Sequence, residues 1–374
     1  MLQLADFDKL LMPMQMIYEK FSEEVILDIV RRLLKMGKLT KTAAWQVQRL
    51  VESGKQYNFV IDKISKLTSM SSKELSRTLM QAGVRSLKYD NMIITSAGFV
   101  PVNVNLSPAM MKVLVTNINR TDGLLKNLAR SIAEASQTAF LNSVDVAYME
   151  VVHGTMSYGQ AIKQATKNLL QEGVTTVKYP SGHKDKVDVA VRRAVLTGVA
   201  QTANEISWQN ILDMDVDLIE TSAHIGARNK GDLPENHEMW QGKVFSRKNN
   251  PKYPDFLVST GYGTVEGLAG INCRHTFYPY FESMPRNYTD EKLQEYAAKT
   301  VTYNGKEYDF YKATQMQRKM ERDIRAAKLE AKAAQVLGED AYEEKAKIKF
   351  YQARIRDFCR QTGLERQYAR EGGK

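Results

Sequence analysis

Two adjoining stretches decide the fold: residues 188–212 read DVAVRRAVLTGVAQTANEISWQNIL, and residues 217–224 read DLIETSAH. In the first, apolar side chains recur every three or four residues, which predicts a helix with one buried face. The side chains on that face are Ala190, Ala194, Val195, Val199, Ala203, Ile206 and Ile211. The second stretch alternates as a β-strand does. Together they predict a compact α+β domain, which we place at residues 173–285.

A small hairpin is predicted just upstream of this helix. Residues 175–179 and 184–187 have strand character. Pro180 and Gly182 lie between them and favour a turn, which places His183 in that turn.

The first part of the chain has helical patterns with candidate ends at glycines. Residues 38–53 predict a helix that ends at Gly54, because glycine commonly follows the last helical turn. Ser71 and Glu74 have the spacing of a capping box, in which each side chain bonds to a backbone N–H at the helix start. We therefore expect a second helix from there, ending before Gly83.

The remainder of this part is also mostly helical. Residues 92–104 are apolar and β-branched, and they predict either a short strand or an extended link. Pro108 suits the first turn of a helix. Helical spacing then extends over residues 124–152 and 157–170. Residues 1–172 are therefore predicted to form a helical N-terminal region.

The end of the chain predicts two helices joined at Gly338. Met316, Met320 and Ile324 recur every fourth residue. A second set follows the glycine at helical spacing: Ile348, Tyr351, Ile355 and Phe358. The pattern is typical of a helical hairpin within a C-terminal region at residues 286–374. The fold class is thus α+β and mainly helical.

Composition and charge narrow the class of protein. The chain has 374 residues and a formal net charge of +10. Residues 312–374 contain 16 Lys and Arg against 10 Asp and Glu. This basic helical region predicts either a solvated helical surface with charges of both signs or a surface that contacts DNA or an acidic partner, and neither alternative includes a base-specific reader. No stretch has the length of apolar sequence that a membrane span requires. No signal peptide is recognisable. The two distant cysteines fit synthesis in a reducing cytoplasm.

The unusual residues are concentrated in three stretches: SAHIGAR at 222–228, HEMWQGKVF at 237–245 and GYGTVEGLAGINCRH at 261–275. Four side chains there are of the types that bind zinc: His224, His237, Cys273 and His275. Only Cys273 and His275 have close spacing, so we expect no cofactor and retain zinc as the alternative.

Two further chemistries are conceivable for the same stretches. His237, Lys243 and His275 could supply a base, an acid and a cation for a histidine-dependent hydrolase. No nucleophile motif or acidic metal-binding string accompanies them. The glycine-rich stretch lacks the Gly-Lys-Ser/Thr of a phosphate-binding loop. Its glycines are better explained by positive φ angles and close backbone approach.

These stretches resemble the phage minor capsid protein 2 family. The resemblance rests on Ser222-Ala-His-x-Gly-Ala-Arg, His237-x-x-Trp-Gln-Gly-Lys-Val-Phe-Ser and Gly261-Tyr-Gly-Thr followed by Asn272-Cys-Arg-His. It extends upstream through Tyr179-Pro-Ser-Gly and downstream to Thr362-Gly-Leu. The family is distantly similar to head-morphogenesis proteins of Mu-like phages. Some of those relatives have a second cysteine where this chain has His275.

The resemblance implies a non-enzymatic structural component of the virion, present in few copies near the portal of the phage head. Head assembly, DNA ejection or both are the implied roles, with portal and head proteins as partners. The alternative is the zinc- or histidine-dependent hydrolase or toxin-like enzyme described above. We expect the defining cluster to pack a glycine-rich loop against the 217–224 strand. Its members are His224, Arg228, His237, Trp240, Gln241, Gly242, Lys243, Gly261, Gly263, Asn272, Cys273, Arg274 and His275.

Overall fold

The computed structural model describes residues 1–36, 42–172, 176–178 and 184–372, and the fold is α+β and mainly helical, as predicted. The α-helices in these ranges are α1 (Leu4–Met36), α2 (Thr42–Ser96), α3 (Pro108–Val152), α4 (Tyr158–Glu172), α5 (Val187–Asp213), α6 (His237–Trp240), α7 (Phe256–Thr260), α8 (Asp290–Ala297), α9 (Phe310–Val336) and α10 (Tyr342–Thr362). A 3-10 turn follows at Tyr368–Glu371. Within the described ranges, no helix combines the length and apolar character needed to cross a membrane.

The strands are short, and each pairing between two of the described strands is antiparallel. They are β1 (Thr176–Lys178), β2 (Lys184–Lys186), β3 (Leu218–Thr221), β4 (Val244–Ser246), β5 (Phe277–Pro279), β6 (Thr300–Tyr303) and β7 (Lys306–Asp309). A three-stranded sheet has the order β4-β3-β5, so β3 is central. Glu220 of β3 lies opposite Val244 on one side and Tyr278 on the other. The predicted strand at residues 217–224 is confirmed but ends at Thr221.

Several predicted elements are confirmed with small changes in their bounds. The helix predicted at residues 188–212 is α5, and Pro108 begins α3. The helix predicted at residues 157–170 is α4. The hairpin predicted at residues 175–187 is present as β1 and β2, with Thr176 opposite Lys186. Its turn, with Pro180 and His183, lies outside the described residues.

The predicted helix ends at Gly54 and Gly83 are wrong. Both glycines lie inside α2, a single helix of 55 residues. A Cβ at Gly83 would lie 2.3 Å from Cδ1 of Ile206, whereas one at Gly54 would meet nothing within 4 Å. Gly83 thus permits a close approach, and the modest helical penalty of a glycine does not stop so long a packed helix.

The predicted capping box at Ser71 and Glu74 is also wrong, because the helix does not begin there. Ser71 is buried within α2, and its hydroxyl donates to the carbonyl of Thr68, one turn earlier. Of the two alternatives for residues 92–104, the link is correct: α2 continues to Ser96, and an irregular segment follows. Side chains in this segment such as Val100 are exposed, and residues 97–104 form no strand.

The chain divides into two compact units, each assembled from separated segments. The first unit comprises Met1–Met14, Ser72–Leu124 and Arg192–Gln315. The second comprises Gln15–Ser71, Leu125–Val191 and Met316–Lys374. The sequence predicts three continuous regions, with boundaries after residues 172 and 285. That division stays a prediction, because each unit combines separated segments.

The core of the first unit surrounds the three-stranded sheet. It joins the end of α5 to β3, α6, β4, α7 and the segment before β5. Its buried members are Ile211, Val216, Ile219, Trp240, Phe245, Phe256, Leu268, Cys273 and Phe277. Burial of these side chains is the main stabilising contribution to the unit.

The second unit contains the C-terminal hairpin and a buried ionic network. α9 and α10 are joined around Gly338, which has a φ of +81°. In the same unit, the guanidinium of Arg32 donates to both carboxylate oxygens of Asp28 and to Glu52 at 2.8 Å. Bidentate bonding of this kind satisfies buried charges that would otherwise be costly.

Candidate functional site

Three of the four proposed metal ligands meet in the first unit. His237 begins α6, while Cys273 and His275 lie in the irregular segment before β5. One potential ligand atom from each residue lies within 4.8 Å of the other two. Cys273 Sγ and His275 Nδ1 are 3.7 Å apart. All three side chains are buried, and we call them the His2Cys cluster.

Hydrogen bonds fix the tautomers of both histidines in the cluster. Nε2 of His237 lies 2.8 Å from the carbonyl oxygen of Glu266, which only accepts, so Nε2–H donates. Nε2 of His275 lies 3.1 Å from the side-chain oxygen of Gln241. That oxygen also accepts from the backbone N–H of His224, which identifies it as an acceptor. Each ring therefore keeps its lone pair on Nδ1.

His224 lies beside the cluster without being a member of it. Its ring stacks on the ring of His275, with 4.3 Å between centroids. Its Nδ1–H donates to the carbonyl of Ile225 at 3.1 Å. Because β3 ends at Thr221, the chain is free to turn here and bring His224 over the face of His275.

Trp240 forms an apolar wall of the site. Its indole N–H donates to the carbonyl of Pro234 at 3.0 Å. Its ring centroid lies 4.6 Å from that of His237 and 4.8 Å from that of His275. A buried tryptophan with its N–H satisfied is stable in such a position, and it keeps water from this side of the cluster.

Burial keeps the cluster uncharged near neutral pH. Desolvation lowers the pKa of His237 to about 4 and holds the pKa of His275 well below its usual value. It also lowers the pKa of the adjacent His224. The pKa of the Cys273 thiol is raised to about 11 for the same reason. The group therefore contains neutral imidazoles and a thiol.

Arg228 and the glycine-rich loop fix the position of the Glu266 carbonyl, which accepts the hydrogen bond that orients His237. The guanidinium of Arg228 donates to the carbonyls of Glu266 and Ile271 at 3.2 and 3.3 Å. A Cβ at Gly267 would lie 2.2 Å from the carbonyl oxygen of Gly261, so only glycine fits there. Gly261 itself ends α7 in the left-handed region, with φ of +58°.

The remaining predicted site residues lie around the cluster. Gln241 is buried, and Gly242 and Gly263 have positive φ angles. Asn272 also has a positive φ of +60°, and its N–H donates to the hydroxyl of Thr197. Arg274 forms an ion pair with Asp8 at 3.8 Å.

Lys243 differs from the two histidines with which it was grouped. Its side chain is exposed, whereas His237 and His275 are buried. Its backbone carbonyl accepts from the backbone N–H of Thr221 at 3.0 Å. The backbone of Lys243 thus extends the β3-β4 pairing, and the hydrolase alternative would have to combine an exposed amine with a buried histidine pair.

Two important residues were missed by the sequence reasoning. Asn204 on α5 donates to the carbonyl of His275 at 3.0 Å and accepts from the backbone N–H of Phe277 at 3.1 Å. Glu220 is buried and accepts from the backbone N–H of Asn287 at 2.8 Å. The available signal for Asn204 was its spacing, because it lies seven residues, or about two helical turns, before Ile211 of the predicted apolar face.

Comparison with known proteins assigns the chain to a class. The sequence profile of the family described as phage minor capsid protein 2 matches residues 2–360. Since the match spans nearly the whole length, the chain belongs to the phage minor capsid protein 2 family, and the resemblance of its motifs is confirmed.

Two relatives illustrate the breadth of this similarity. A structural protein of Lactococcus phage LL-H is 27% identical over 91% of this chain and 92% of its own length. A structural protein of Lactococcus phage mv4 is 38% identical over 33% of this chain and 93% of its own length. No solved structure matches the chain.

Proposed function

We propose that this protein is a non-enzymatic structural component of the phage virion, placed near the portal of the head, where it acts in head assembly, DNA ejection or both. The family match over residues 2–360 carries this proposal, because nearly the whole chain corresponds to a minor capsid protein. Two relatives named as structural proteins of phages support it. Its partners are then portal and head proteins. Both cysteines are free, which fits synthesis in the host cytoplasm.

An exposed apolar stripe on α2 supports contact with another protein. The stripe consists of side chains at helical spacing: Val47, Leu50, Val51, Tyr57 and Ile61. Leu50 is 70% exposed and Val47 is 64% exposed. Isolated apolar residues are common on surfaces, but a continuous stripe on one helical face is typical of a binding surface. We assign it to a portal or head protein.

The stripe gives a direct test of the structural role. Leu50→Glu with Ile61→Glu should lower recovery of the tagged protein in purified phage particles, with no loss of thermal stability, because both side chains are already exposed. The control is Asn127→Glu with Gln164→Glu, which adds the same charge at exposed polar positions of α3 and α4, outside the stripe.

Recovery of the portal protein with the wild-type chain, and its loss with the Leu50 and Ile61 variant, would support the proposed location. A wild-type protein absent from purified particles would overturn the structural proposal. Equal recovery of both double variants would remove the stripe as the contact surface.

The His2Cys cluster gives a second test, which separates a structural role from catalysis. We expect His237→Ala and His275→Ala to lower the melting temperature and particle incorporation together, because both rings are buried and hydrogen-bonded. A variant that keeps the wild-type melting temperature and particle incorporation but loses a hydrolytic activity of the wild type would contradict the non-enzymatic proposal.

The basic C-terminal region is proposed to face packaged DNA. Exposed cations on α10 include Lys349, Arg354 and Arg356. Other charges of the region are paired within the protein: Arg366 binds Glu371 through two bonds, and Lys347 binds Glu330. Contact through the exposed cations would be non-specific and sensitive to salt.

A further inference from the structure

We propose that His237, Cys273 and His275 form a zinc site, in which the two imidazole Nδ1 atoms and the Cys273 sulfur supply three ligands. The inference goes beyond the capsid role and stands apart from it. It rests on the convergence of three buried side chains whose ligand atoms lie within 4.8 Å of one another. Thiolate and imidazole ligands together favour zinc among the common biological cations.

The separation of two of these ligand atoms has the size that zinc requires. Tetrahedral zinc, with bonds of about 2.3 Å to sulfur and about 2.05 Å to nitrogen, separates these atoms by about 3.6 Å. Cys273 Sγ and His275 Nδ1 are 3.7 Å apart. Metal binding at this pair therefore needs little movement of either side chain, and the thiol releases its proton to solvent as the sulfur binds.

The outer hydrogen bonds have the arrangement that metal-binding histidines need. A histidine ligand characteristically donates its second ring N–H to an oxygen, which orients the ring and selects the tautomer. Nε2–H of His237 donates to the Glu266 carbonyl, and Nε2–H of His275 donates to Gln241. In both histidines the lone pair available to a metal is therefore on Nδ1.

A simpler arrangement accounts for part of the geometry. A thiol hydrogen bond from Cys273 to Nδ1 of His275 would explain their separation without a metal. It gives no reason for His237, 36 positions earlier than Cys273, to bring a third ligand atom into the same buried space. Zinc explains all three, and it would join α6 to the segment before β5.

His224 is excluded from the ligand set. Its ring lies flat against His275, and it is not among the residues whose ligand atoms all lie within 4.8 Å of one another. Three protein ligands leave the fourth position of zinc to a non-protein ligand such as water.

Metal analysis of the full chain, purified through a tag that binds no metal, tests the site. The wild type should retain about one zinc per chain after dialysis. Cys273→Ala and His275→Ala should lose it. The matched controls Cys359→Ala and His153→Ala, which alter a half-buried cysteine on α10 and an exposed histidine after α3, should keep it. Gln241→Ala should weaken zinc binding by roughly 10- to 100-fold, because it removes the acceptor that orients His275.

Cobalt substitution of the wild type keeps the test decisive if the cluster variants do not fold. Wild-type protein loaded with Co²⁺ should show intense visible bands of a four-coordinate ion and a near-ultraviolet charge-transfer band from the thiolate. Absence of the charge-transfer band would overturn the site. So would zinc stoichiometry that is unchanged in Cys273→Ala and His275→Ala.

Discussion

The ring of His275 donates from Nε2–H to the side-chain oxygen of Gln241 over 3.1 Å, and both residues are buried. The same oxygen accepts from the backbone N–H of His224 at 3.0 Å. One amide oxygen therefore accepts from two donors and orients the ring whose other nitrogen faces Cys273. This bond connects the end of α6 to the segment that precedes β5.

Gln241→Ala should destabilise the fold because two donors lose their shared acceptor. A buried unsatisfied donor costs about 1–3 kcal/mol, so we expect a loss of about 2 kcal/mol or more. Thermal unfolding measures the change. Gln294→Ala, at an exposed position of α8, is the control and should stay within about 0.5 kcal/mol of the wild type. Equal melting temperatures for the two variants would contradict the role of Gln241.

The two glycines inside α2 should respond to alanine in opposite directions. Gly54→Ala should stabilise by about 0.5–1 kcal/mol, since alanine favours the helix and nothing lies within 4 Å of the new Cβ. Gly83→Ala should destabilise by about 1–3 kcal/mol, because its Cβ would overlap the buried Ile206 side chain. Melting temperatures of both variants, measured side by side, check the pair. A stabilised Gly83→Ala would show that Ile206 moves aside without strain.

Glu220 should make stability depend on pH. Burial raises the pKa of this carboxyl to about 7, despite the backbone hydrogen bonds from Asn287 and Tyr288 that favour its ionised form. Because the folded-state pKa lies above the unfolded value, the carboxyl contributes its full stability only below about pH 4.5. That contribution is lost as the pH rises through about 7.

Denaturant unfolding at a series of pH values tests this dependence. Between pH 5 and 8 the wild type should lose on the order of 2 kcal/mol through this group. Glu220→Gln keeps an oxygen for the N–H of Asn287 and carries no charge, so this part of the decline should disappear. Glu295→Gln, which removes an exposed carboxylate, is the control and should retain the wild-type decline. A decline that is identical in all three proteins would refute the assignment to Glu220.

Charge reversal on α10 should weaken binding to duplex DNA. Lys349→Glu with Arg356→Glu should reduce the slope of log affinity against log salt concentration by about one for each phosphate that is no longer neutralised. The control, Lys299→Glu with Lys306→Glu, makes the same charge change at exposed positions near the β6-β7 hairpin and should affect the slope less. Binding curves for a random duplex at several salt concentrations measure both. Identical slopes would place the DNA-binding surface elsewhere or exclude it.

Local periodicity was sufficient for much of the fold. The spacing of Ala203, Ile206 and Ile211 predicted α5, and Gly338 between two helical patterns predicted the C-terminal hairpin. Each of these depends on neighbours a few residues away, where side-chain pattern and backbone preference agree. The same reasoning failed at Gly54 and Gly83. A helix continues through a glycine where tertiary packing stabilises the helix on both sides of it.

The motif residues and the family were recognisable in the sequence by itself, because the pattern from Ser222 to His275 is defined by the type and order of its residues. Only the tertiary structure decided which of them meet: pairing of β3 with β5 and the close approach at Gly267 bring Cys273 and His275 to His237, while Lys243 stays exposed. Convergence across 36 residues depends on long-range backbone pairing and on loop conformations with positive φ. A linear pattern of residue types records neither, because it specifies which side chains are available and not the distances between them.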